Sequence, residues 1–143
     1  MKNREILFRG KRVDNGEWVY GDLARYMDGS PMIMESSYFA TRDFLNEDED
    51  GNPIIENEIA LGGFVSVIPE TVGQFTGLTD KNRTKIFEGD VNHDGSVLLW
   101  SDELALFCFH RYNNGRWIRT IYPISPNDYI EITGNIHDNP INP

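Results

Sequence analysis

Four cations and two aromatic residues near one end of the chain carry the first chemistry to consider. They are Arg4, Arg9, Lys11 and Arg12, with Trp18 and Tyr20. Such groups hold single-stranded nucleic acid by attracting its backbone and stacking on its bases. The whole chain argues against that use. It has 143 residues, with 23 acidic side chains against 13 Lys and Arg, for a formal net charge of −10. An acidic protein repels a polyanion on average, so nucleic acid is a disfavoured partner. The pairing expected below also sets Arg9 opposite Asp22 and packs Trp18 on Val13. Arg9, Lys11, Trp18 and Tyr20 remain the binding candidates, as the subsidiary reading.

Residues 46–52, Asn46-Glu47-Asp48-Glu49-Asp50-Gly51-Asn52, invite comparison with a calcium loop. With Asn46 at loop position 1, Asp48 falls at 3, Asp50 at 5 and Gly51 at the sharp turn. Position 12 must then supply a bidentate Glu, and it is Asn57. Pro53 also sits where an extended residue belongs. The better reading is an exposed acidic hairpin tip turning at Asp50-Gly51. His93, His110 and His137 lie far apart with no ligand spacing, and His137 is expected to pack. Cys108, the single cysteine, has no neighbouring base to activate it and reads as a small buried hydrophobe. No catalytic constellation, metal site or cofactor motif is expected, and the chain is read as not an enzyme.

The elements that position the basic–aromatic group come next. Extended runs on both sides of Asn15-Gly16 predict a hairpin with a two-residue type I′ turn. That turn pairs Lys11 with Tyr20, Gly10 with Gly21, Arg9 with Asp22 and Phe8 with Leu23. Alternation gives one apolar face, Ile6, Phe8, Val19 and Leu23. Its glycines leave room for a large side chain or another backbone to lie close. Arg9, Lys11, Trp18 and Tyr20 share the other face, which reads as half-solvated.

Further along, residues 28–34 predict a turn and a short strand, and residues 64–68 another strand. Residues 69–78, an Asp80-Lys81-Asn82 turn and residues 85–91 read as strand, turn, strand. Four apolar runs follow, at 97–100, 104–110, 117–122 and 129–133. With 85–87 they make five short strands in about 50 residues, a spacing that predicts a small closed or nearly closed barrel. A short helix is allowed at 36–44 or after Pro69. Residues 28–68 hold nine acidic groups and one basic group. Within them, 41–58 is the most loop-like stretch and is expected to be mobile. No apolar run approaches the ~18 residues of a membrane span, and the opening residues do not resemble a signal peptide. With one cysteine, the expected location is a reducing cytoplasm.

Several segments carry a resemblance. Pro69-Glu70-Thr71-Val72-Gly73-Gln74-Phe75-Thr76-Gly77-Leu78, then Asp80-Lys81-Asn82 and Lys85-Ile86-Phe87-Glu88-Gly89-Asp90, look like the YopX family of phage and prophage proteins. So do residues 8–12, residues 15–21 and Thr133-Gly134-Asn135-Ile136-His137-Asp138-Asn139-Pro140. The resemblance implies an SH3-like barrel in the second half. The expected fold is mostly β: an N-terminal hairpin-based sheet over residues 1–68, then an SH3-like small barrel over 69–143. The expected role is a phage- or prophage-derived, non-enzymatic protein-interaction or assembly module acting as a homo-oligomer. The alternative is a nucleic-acid-binding accessory protein of phage origin.

Overall fold

Short runs of Val, Ile, Thr and aromatic residues, broken by Gly, Asn and Asp, fold into antiparallel sheets. The computed structural model describes residues 3–35, 39–61, 63–123 and 129–139. Among these it has strands, one 3-10 turn at Pro69–Thr71 and no α-helix. The first sheet has the spatial order β6 (Phe64–Ser66), β3 (Pro31–Met34), β2 (Trp18–Arg25), β1 (Phe8–Lys11), β7 (Gly73–Thr79) and β8 (Lys85–Phe87). The second has the order β12 (Arg116–Pro123), β11 (Leu106–Asn113), β10 (Val97–Ser101), β9 (Asp90–Asn92) and β13 (Ile132–Asn135). A separate ribbon pairs β4 (Phe39–Glu47) with β5 (Pro53–Leu61).

Neither sheet closes on itself. β6 and β8 bound the first, and β12 and β13 bound the second. The closed or nearly closed barrel predicted from five short strands is therefore corrected to open sheets. The reason is a long-range pairing that strand spacing does not encode. β7 bonds to β1, through Phe8 with Gln74 and Arg9 with Gly73, and carries β8 into the N-terminal sheet. The stretch 41–58 is also corrected: apart from the tip at residues 48–52 it is two nine-residue strands, not a loop. Of the helix allowed at 36–44, residues 39–44 are strand and 36–38 lie outside the described residues. A tight turn at 102–105, with Ala105 at φ +52°, delays the start of β11 to Leu106.

The first hairpin forms in a register two residues from the predicted one. Phe8 faces Gly21, Arg9 faces Tyr20, Gly10 faces Val19 and Lys11 faces Trp18. The loop is four residues long, since the Arg12 N–H donates to the Glu17 carbonyl at 2.9 Å. Within it only Gly16 has a positive φ, +73°, so Asn15-Gly16 is not a type I′ turn. Two contacts hold this longer loop. The Val13 N–H is drawn to the Ser66 carbonyl at 3.0 Å, and the Asn15 side chain accepts the Glu17 N–H at 2.9 Å. A shift of two keeps every side chain on its face, because the strand period is two.

Phe8 and Leu23 therefore pack as expected, in a core around Val19, Ile33 and Val67. Ile6 precedes β1 and is exposed, so it drops out of the expected apolar face. The close approaches expected at the glycines are present. A Cβ at Gly21 would overlap the Met34 carbonyl, and one at Gly10 would press on Val67. A second core joins the sheets around Ile86, Leu98, Phe109 and Ile130.

Candidate functional site

β1 lies between β2 and β7, so side chains on its Arg9–Lys11 face meet whatever packs over the centre of that sheet. What packs there is the start of β9 and the turn after β13. Arg9 is buried, with its guanidinium 4.6 Å from the centroid of the Trp18 ring and 4.8 Å from that of Phe87. Its Nη2 donates to Asp90 Oδ1 at 2.7 Å and to the Glu88 carbonyl at 3.3 Å. Asp90 Oδ2 accepts the Phe87 N–H at 2.7 Å. Burial pushes the Asp90 carboxyl above its ordinary pKa although Arg9 pulls the other way, and burial also raises Glu88.

Two residues along, the Lys11 ammonium is ion-paired with Asp138 and lies 5.5 Å from the Trp18 ring centroid. Asp138 also accepts the Trp18 indole N–H at 3.0 Å and the Asn135 amide at 2.6 Å. These donors, Lys11 first, hold the Asp138 carboxyl down at a pKa of about 2. Asn135 shapes the turn, its Oδ1 accepting the backbone N–H groups of His137 and Asp138. That turn sets the His137 ring 6.0 Å from Trp18, and Gly89 leaves room beside the imidazole. Burial lowers the His137 pKa, and Arg9 and Lys11 lower it further. On the other side of β1, the Lys11 N–H donates to Thr71 Oγ1 at 2.8 Å.

A cleft of about 500 Å³ runs beside this cluster, lined by Arg9, Tyr20, Phe87, Asp90, Ile132 and Asn135 among others. Tyr20 stands at its wall, partly exposed, with its ring edge-on to Phe87 at 5.5 Å. The buried Arg9 Nε has no hydrogen-bond partner among the described residues.

Segments from the start, middle and end of the chain thus meet in one cluster. They are the same segments whose sequence resembled a known family, and the family comparison extends the likeness between them. The model of the YopX protein family matches residues 7–141. The chain belongs to the YopX family. No curated protein matches it.

In this YopX-family chain, the four candidate residues Arg9, Lys11, Trp18 and Tyr20 share one face, on which Arg9 is buried, Lys11 and Trp18 are half-buried and Tyr20 is exposed. Arg9 pairs with Asp90 rather than Asp22, and Trp18 packs on Arg9 and His137 rather than Val13, which is exposed. Arg12 is held by Asp14 through two bonds of 2.9 Å. The sequence reading missed the partners, Asp90 and Asp138, and the turn-former Asn135. A signal was present, because Glu88-Gly89-Asp90 and residues 133–140 both fell in family-like segments. Nothing in their spacing said that they meet.

The other candidates are placed as follows. The acidic tip turns at Asp50-Gly51, as expected. Asp48 Oδ1 accepts the N–H groups of Asp50 at 3.0 Å and Asn52 at 2.8 Å. That carboxylate is committed to the turn, and its pKa is lowered chiefly by the Asn52 N–H. His93 bonds to its neighbour Asn92, and His110 lies within β11 against the Cys108 carbonyl, not at a strand end. Cys108 is buried. Among the described residues, no group of three His, Cys, Asp or Glu is placed to hold a metal ion.

Proposed function

We propose that this YopX-family chain is a non-enzymatic protein-interaction or assembly module of phage or prophage origin, acting in the cytoplasm as a homo-oligomer. One observation carries the reading. Two cations of its family-like segments are matched within the molecule, Arg9 by Asp90 and Lys11 by Asp138. Side chains matched this way fix how two sheets sit together, which supports a structural role for them. What such a chain offers a partner is its shape, its open strand edges and its exposed aromatic residues.

The nucleic-acid alternative is weakened by the same pairing. Of Arg4, Arg9, Lys11 and Arg12, three are matched by a carboxylate, which leaves few charges for phosphate. Sedimentation velocity across a concentration series, with oligonucleotide binding at low and moderate salt, tests the choice. The expected result is concentration-dependent self-association with weak or no oligonucleotide binding. Submicromolar binding with a steep salt slope, by a chain that stays monomeric, would replace this reading with the alternative.

A further inference from the structure

Two arms of opposite charge leave the sheets. The first is the end of the β11–β12 hairpin. β10 begins at Val97, opposite His110, so residues 111–118 run past it as a two-stranded projection. Its tip is Asn114-Gly115, with φ +49° and +79°, between the paired Asn113 and Arg116. Trp117 and Ile118 are about 40% exposed (40% and 42%), and as neighbours on a strand they face opposite ways. Arg116 is exposed and makes no ion pair among the described residues. Residues 104–123 contain three arginines and no acidic residue, on a chain of net charge −10.

The second arm is the β4–β5 ribbon. Its turn carries four consecutive acids, Glu47, Asp48, Glu49 and Asp50, and the side chains of Glu47, Glu49 and Asp50 are exposed. Among the described residues no strand of either sheet pairs with the ribbon. Among the described residues no ion pair joins the acidic tip to the basic arm within one chain.

We infer that the basic, aromatic arm at 111–118 docks on the acidic tip at 47–50 of a second copy. The inference rests on the self-association proposed above and names the surfaces that make it. Charge complementarity selects the occupant. Every copy brings three exposed acids, Glu47, Glu49 and Asp50, to match the arm, and exposed Trp117 supplies apolar area of the kind that anchors interfaces. Arg111 already meets Asp94 at 3.0 Å, so Arg116 is the cation that the arm offers its partner. The contact joins unlike surfaces, so it is head-to-tail and leaves one free arm and one free tip on every open assembly.

Arg116→Glu and Glu49→Lys test it, since both positions are exposed and the variants should melt like the parent. In sedimentation velocity at low salt, each variant alone is expected to weaken self-association by roughly tenfold, and Trp117→Ala likewise. Added salt should weaken the parent too. An equimolar mixture of Arg116→Glu and Glu49→Lys is expected to associate again, because one keeps the acidic tip and the other the basic arm. If the parent associates and both charge variants associate equally well, the contact lies elsewhere; this inference falls and the proposed function stands. A parent that is monomeric at every concentration overturns both. So does a monomer that binds oligothymidylate and loses that binding with Arg116→Glu.

Discussion

Arg9 and Asp90 are 81 positions apart in the chain and 2.7 Å apart in space, both buried, and their ion pair crosses from one sheet to the other. The guanidinium is matched on its faces by Trp18 and Phe87 and at its edge by a carboxylate. Removing one partner leaves an uncompensated buried charge. Asp90→Asn should therefore lower unfolding free energy by about 3 kcal/mol, and Arg9→Met by a similar amount. The pair Arg9→Met with Asp90→Asn should lose clearly less than the sum of the single losses. Urea denaturation measures all of these, and strictly additive losses would contradict a buried pair.

Asp138 gathers Lys11, Trp18 and Asn135 on one carboxylate. Its folded pKa of about 2 is below the ordinary 3.8, so its stabilisation is complete above the unfolded value and fades as pH falls toward 2. Asp138→Ala should destabilise by about 1 kcal/mol at neutral pH and show a weaker loss of stability below pH 4. Trp18 fluorescence should change in the native state, because its N–H loses its acceptor. An unaltered spectrum would count against the contact.

His137 titrates in the other region. Its folded pKa lies below 6.5, because burial and then the cations Arg9 and Lys11 disfavour its charge. Above 6.5 the folded and unfolded forms are both neutral and nothing is lost. As pH falls below 6.5 the unfolded chain takes up the proton first, so stability declines. Thermal melts between pH 7.5 and 5 should show that decline, and His137→Tyr should flatten it. A His137→Tyr variant whose melt changes with pH just as the parent's does would reverse the assignment.

Two glycines of the first hairpin separate space from backbone freedom. Gly21 needs its missing side chain, since a Cβ there overlaps the Met34 carbonyl, part of the neighbouring strand's backbone. Gly21→Ala should part β2 from β3 and cost more than about 3 kcal/mol, beyond the usual range for one substitution. Gly16 has open space around it and needs only its φ of +73°. Gly16→Val should cost somewhat more than about 1 kcal/mol. Chemical denaturation of the two variants would show the reverse order if the register were wrong.

The two Asn-Gly turns show what local sequence can decide. Both look like type I′ signals. At Asn114-Gly115 both residues take positive φ and Asn113 pairs with Arg116, as the dipeptide alone predicts. At Asn15-Gly16 only the glycine does, because Val13 is drawn into a bond with Ser66, some fifty residues away. Local chemistry set the turn where nothing distant competed for its backbone. It lost where a third strand offered hydrogen bonds.

By itself the sequence determined the β character, the place of turns such as Asp50-Gly51 and Asn114-Gly115, and the side of the first hairpin on which its paired residues lie. These follow from short-range sterics and a period of two, so even a register shifted by two left the faces intact. It also marked the segments that would form the cluster. Only the tertiary structure decided that β7 joins β1, that the sheets stay open, and that Arg9 is a buried strut rather than a surface cation. Whether a charge is free or matched depends on which carboxylate arrives from far along the chain. Spacing in sequence holds no record of that meeting between Arg9 and Asp90.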